Sequence, residues 1–78
     1  MLNGIQIKMA RAALSWSLND LAAYSSVSIS TIKRIESETD EYNTTPANLK
    51  LIRETLETAG VEFIGAPGAG PGVRLWVK

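Results

Sequence analysis

Cysteine and histidine are both absent from the 78 residues. That excludes disulfides, thiol nucleophiles, zinc fingers and the imidazole that most often serves as a catalytic acid or base. No apolar run approaches the roughly 20 residues that a membrane-spanning helix needs. No charged start followed by an apolar core and a cleavage site points to export either, so the expected location is the cytoplasm, away from membranes. The carboxylates fall in one loop and on solvated helix faces without an accompanying base, nucleophile or metal set, so no enzyme and no cofactor is expected. A chain this short makes one domain that buries a modest fraction of its surface.

There is also no excess of either charge: eight Lys and Arg stand against eight Asp and Glu. Since cations supply most non-specific affinity for nucleic acid, a neutral sum on its own argues against such a partner. The distribution is uneven, however. Residues 1–36 carry four cations against two anions, residues 37–62 two against six, and the tail adds Arg74 and Lys78. The chain is polarised along its length.

Turn and cap residues divide the chain into short helices. Asn3 with Gln6 makes a variant capping box before Ile7, Ala10, Arg11 and Leu14, which predicts a first helix over about Gly4 to Leu14. Ser17 with Asp20 makes a second box, flanked by a Trp16 and Leu21 staple, and predicts a short helix from about Leu18 to Tyr24. Ser28 caps a third helix over about Ile29 to Ser37, with Val27 stapled onto Ile32. The intervening Ser25, Ser26 and Val27 match the turn of a helix-turn-helix, with Ser26 where glycine is often found. Thr45 followed by Pro46 starts a fourth helix, whose stripe is Leu49, Ile52, Leu56 and Ala59 and whose terminator is Gly60. Lys50 and Glu54 are spaced to pair across one turn of it.

The end of the chain changes character. The segments VEFI and VRLWV are rich in β-formers and flank a glycine and proline stretch, which predicts a hairpin from about Val61 to Val77. An isolated hairpin is marginal in water, so its apolar face must lie on the helices or on a second chain. The glycines of that stretch precede a strand and no Lys-Ser/Thr pair, unlike a phosphate-binding loop.

Residues 7–60 resemble the XRE or Cro-type helix-turn-helix family of phage and bacterial repressors, which has a lambda-repressor-like fold. The resemblance rests on RAALSWSLNDLAAYSSVSISTIKRIE, in which Arg11, Leu14, Ser17, Leu21, Ala22, Val27, Ser28, Ile32, Ile35 and Glu36 occupy the pattern positions. It implies a mainly α domain of four to five helices over residues 1–60, with the hairpin of residues 61–78 as a possible dimerisation element. It also implies a small transcriptional regulator, more in keeping with a repressor, that binds duplex DNA as a homodimer.

On the third helix the side chains turned away from Ile32 and Ile35 are Ile29, Ser30, Lys33, Arg34 and, at the edge, Thr31. Arg34 suits guanine O6 and N7, Ile29 a thymine methyl, Ser30 and Thr31 either donors or acceptors, and Lys33 a phosphate. The start of the second helix offers a positive dipole end, with Ser17 and Asn19 as donors to the DNA backbone and Ser28 as a further candidate. Two features depart from the family pattern: Leu18 stands where a glutamine is common, and Asp20 repels phosphate. Arg11 on the first helix and Glu36 at the end of the third read as a structural ion pair, with a direct phosphate contact from Arg11 as the other reading.

The loop ESETDEYNTT is acidic where relatives are often basic, and reads either as an exposed connector or as a surface for a protein partner. Rather than base-stacking groups, Trp16 reads as staple and core, Tyr24 as the exposed end of the second helix and Phe63 as part of the hairpin face, while Trp76 is either exposed or met by another chain. An alternative function is therefore an antitoxin-like protein-interaction module that uses the hairpin and the acidic loop.

Overall fold

The computed structural model describes residues 2–37, 46–65 and 69–76. Four helices, α1 (Gly4–Leu14), α2 (Leu18–Ser25), α3 (Ile29–Ser37) and α4 (Pro46–Thr58), precede a hairpin of β1 (Val61–Ile64) and β2 (Gly72–Leu75). The fold class is therefore as expected, with four helices among the described residues. Helix α2 runs to Ser25 instead of Tyr24, and the second strand stops at Leu75. The acidic loop, the Thr45 cap, the tip of the hairpin at residues 66–68 and Val77 lie outside the described residues.

Side-chain caps set the helix starts. Asn3 Oδ1 accepts from the Gln6 amide at 3.0 Å while Gln6 Oε1 accepts from the Asn3 amide at 3.2 Å. Ser17 and Asp20 repeat the arrangement at α2, and Ser28 Oγ takes the Thr31 amide at α3. Each box satisfies donors that a helix leaves free at its first turn. The stops are left-handed residues: Ser15 at φ 58° after α1 and Ser26 at φ 63° after α2. Serine holds that conformation at a cost of about 1–2 kcal/mol, which makes Ser26 a strained substitute for glycine in the turn. Its amide is satisfied by Ala22 O at 3.0 Å.

The core is assembled from one stripe of each element. Ile7 and Ala10 of α1, Leu21 of α2, Ile32 and Ile35 of α3, Ile52 and Leu56 of α4 and Val61 of β1 are buried together, with Leu14, Trp16, Ala22, Leu49, Phe63 and Val73 packed around them. Full burial of each large aliphatic side chain is worth about 1.5–3 kcal/mol, which offsets the ordering of so short a chain. Helices and hairpin thus share one core.

The strands pair antiparallel, with Val61 opposite Leu75 and Phe63 opposite Val73 on one face, and Glu62 opposite Arg74 on the other. The first face meets the helices. At the open end of the hairpin the Trp76 amide donates to Gly60 O at 2.8 Å. Gly60 has φ +107°, and a Cβ there would stand 3.0 Å from Trp76 O, so both the turn out of α4 and this close approach require glycine. On the outer face, Glu62 Oε1 accepts from Trp76 Nε1 at 2.8 Å and from Arg74 at 3.4 Å.

The hairpin is tied to α1 by one buried amide. Gln6 is 1% exposed, and its Nε2 donates to Ile64 O and to Gly72 O, each at 3.2 Å. These carbonyls face each other across the last pair of the ladder. One side chain therefore caps α1 with its oxygen and clamps both strands with its nitrogen. Gln6→Leu keeps the volume but removes all three bonds, each worth about 1 kcal/mol net. Urea denaturation is expected to show a loss of about 2–3 kcal/mol, and hydrogen exchange to show earlier opening of the strand amides than of those in α4. An unchanged midpoint would contradict the clamp.

Candidate nucleic-acid interface

Helix α3 is divided by its own period. Ile32, Ile35 and Glu36 are buried, whereas Ser30, Lys33, Arg34 and Ser37 are exposed, at the spacing of one continuous helix face. Ile29 and Thr31 are half-buried at the edges of that face. Among the described residues no ion pair engages Lys33 or Arg34, so two cations and a hydroxyl project together from a helix anchored by its opposite side. Ser28 and Thr31 are engaged with one another: Ser28 Oγ donates to Thr31 Oγ1 at 2.8 Å and accepts from the Thr31 amide at 3.3 Å. Their hydroxyls define the start of α3 before they serve anything else.

The turn that precedes α3 is held from inside. Ser25 is buried, and its Oγ accepts from the Val27 amide at 3.2 Å. Val27 itself is buried in the core. Helices α2 and α3 are thereby locked at a short three-residue corner, Ser26 to Ser28.

At the start of α2, Ser17 Oγ accepts from the Asp20 amide at 3.0 Å, and Asp20 Oδ2 accepts from the Ser17 amide at 2.9 Å. Ser17 and Asn19 are exposed, and Leu18 is half-buried. With the capping box occupying the first and fourth amides, the amides of Leu18 and Asn19 have no acceptor among the described residues. They form the positive end of the helix dipole. Asp20 is turned back onto the Ser17 amide, which directs its carboxylate into the cap.

Arg11 and Glu36 join α1 to the last turn of α3. Arg11 Nε and one terminal nitrogen donate to the two Glu36 oxygens, both at 2.7 Å. The second terminal nitrogen donates to Trp16 O at 3.1 Å. The side chains are 20% and 4% exposed, respectively. This is a fork-to-fork pair, the strongest geometry available to a carboxylate. The hydrogen bond to Glu36 holds the Arg11 guanidinium above its ordinary range, opposed in part by burial and aided by the charge of Glu36.

Three features of this region were not read from the sequence. Arg11 also secures the carbonyl of Trp16, and with it the corner between α1 and α2. The ring of Tyr24, although exposed, lies 4.7 Å from that of Trp16 between centroids, so it is part of the same corner and not a bare helix end. From the sequence Gln6 is a capping partner alone, yet it also holds the hairpin. The staple at Trp16 was a local signal, but contacts formed only by folding carry no such trace.

Removing one member of a buried pair strands the other charge, at a cost of about 3–5 kcal/mol. Arg11→Met and Glu36→Leu are each expected to lose stability in that range by thermal and urea denaturation, whereas the double variant recovers most of it. Additive losses in the double variant would contradict a coupled pair.

Comparison with protein families finds a match to the model described as helix-turn-helix over residues 7–63, which is well over half of the chain and spans α2, the turn and α3. Comparisons with curated proteins and with solved structures give no match.

Proposed function

Because the chain belongs to the XRE/Cro-type helix-turn-helix family of DNA-binding regulators, we propose that it binds duplex DNA in a sequence-specific manner and represses transcription by occupying its site. The observation that carries this reading is the exposed face of Ser30, Lys33 and Arg34 on a helix whose other side is fixed in the core. A helix placed in the major groove reads base edges from such a face, and nearby donors hold the phosphates in register. In this reading Arg34 takes a guanine, Ser30 and Ile29 make the neighbouring base contacts, and Lys33 takes a phosphate. Thr31 and Ser28 flank them.

The start of α2 supplies the second anchor. The amides of Leu18 and Asn19 and the side chain of Asn19 face a phosphate, while Ser17 keeps the helix end in shape through its box with Asp20. Arg11 acts on DNA only indirectly, by holding α3 through Glu36. The protein works as a homodimer in the cytoplasm on a two-fold DNA site, since each copy brings one reading helix.

Selection of the full chain on random duplex DNA, followed by anisotropy titrations, tests this reading. An enriched inverted repeat is expected. Arg34→Ala should lose about 1–3 kcal/mol of discrimination at one base pair, and Lys33→Ala should weaken all sequences alike and lower the salt slope by about one unit. Circular dichroism should be unchanged in both. A folded protein that enriches no sequence would contradict the reading and favour a protein partner on the hairpin.

A further inference from the structure

Helices α2 and α4 do not close against each other along their whole length. At the end of α2 a groove of about 550 Å³ opens between them, a volume in the range of small-molecule sites. One wall is aromatic, made by the rings of Trp16 and Tyr24, 4.7 Å apart between centroids and tilted by 36°. The other is a face of α4 on which Leu51, Glu54, Thr55 and Thr58 follow at helical spacing. Tyr24 is 64% exposed and Leu51 42% exposed, so a large apolar group on each wall is left uncovered.

The polar groups define the charge that fits. Glu54 is the one charged residue among the described residues that line the groove. Lys50 Nζ stands 3.9 Å from its carboxylate, at the limit of an ion pair, and both side chains are more than half exposed, so that pairing is weak. The aromatic wall has the same preference. Phe63 and Trp76 each carry an arginine guanidinium 5.7 Å from the ring centroid, whereas among the described residues no cation lies over Trp16 or Tyr24. Ring faces attract cations. Ser25, 3% exposed, also lines the groove. Its Oγ accepts from the Val27 amide, but its hydroxyl proton has no acceptor among the described residues. Thr55, by contrast, donates its own to Leu51 O at 2.7 Å.

We propose that this groove is a binding site for a small aromatic amine that also carries a hydrogen-bond acceptor. The ammonium pairs with Glu54 beside the aromatic wall, the flat ring packs between Tyr24 and Leu51, and the acceptor takes the Ser25 proton. The exposed α3 residues Ser30, Lys33 and Arg34 do not line the groove, so the site is separate from the proposed DNA surface and stands or falls without it.

Three probes of one ring and different charge test this: tyramine, the neutral 4-ethylphenol and the anionic 4-hydroxyphenylacetate. Each is titrated into the isotope-labelled full chain and followed by chemical shifts. Tyramine is expected to shift the Trp16 indole, the Ser25 amide and the Leu51 to Thr58 amides, and to bind about tenfold more tightly than 4-ethylphenol. The acid should bind most weakly. Glu54→Gln should reduce the preference for tyramine to about threefold, Tyr24→Leu should weaken tyramine, and Tyr24→Phe should leave it unchanged. Equal affinity for the three probes, shifts centred on Trp76, or no saturable change at about 10 mM tyramine would overturn the site. Shifts of the same groove residues on simple dilution of the free protein would overturn it in favour of a second copy as the occupant.

Discussion

The bidentate bond between Arg11 and Glu36 is the constraint on which the arrangement of the helices depends. Glu36 closes the buried side of α3, and a carboxylate there would be intolerable without a full complement of donors. Arg11 supplies two of them and spends its remaining arm on Trp16 O, so a single guanidinium fixes the end of α3 and the corner between α1 and α2. Apolar packing alone would hold α3 in place while allowing it to rotate or slide. A planar fork meeting two oxygens permits one orientation, and that orientation sends Ser30, Lys33 and Arg34 outward.

A second buried polar group performs the equivalent task for the hairpin. Gln6 lies five residues before Arg11 on α1, and from there it reaches both strands. Helix α1 is thus the common support: Ile7 and Ala10 enter the core, Arg11 anchors the reading helix, and Gln6 anchors the sheet. The surface that faces DNA in the proposed function and the hairpin are both referred to the same helix. Four residues per strand give too small a sheet to stand alone, and its stability is borrowed from Val61, Phe63 and Val73 lying against the helices.

Much of this was legible because it is local. The capping boxes at Asn3 and Ser17, the cap at Ser28 and Gly60 as terminator are governed by residues within one turn of each other, and the element boundaries follow them closely. The Arg11 and Glu36 partners could be named from the family resemblance, although their geometry could not. The clamp from Gln6 to Ile64 and Gly72 spans almost the whole chain and leaves no periodic mark, since Gln6 already has a sufficient role in the cap. Likewise, Tyr24 reads as an exposed helix end until folding brings the ring of Trp16 beside it.

The most direct measurement is an amide and side-chain chemical-shift titration of the isotope-labelled full chain with duplex DNA selected for binding. The account predicts that shifts concentrate at Ser30, Lys33, Arg34 and the Leu18 and Asn19 amides, while the Arg11 Nε resonance stays in place because its partner is Glu36. Shifts centred on the hairpin, or displacement of the Arg11 Nε resonance in the absence of changes along α3, would contradict it.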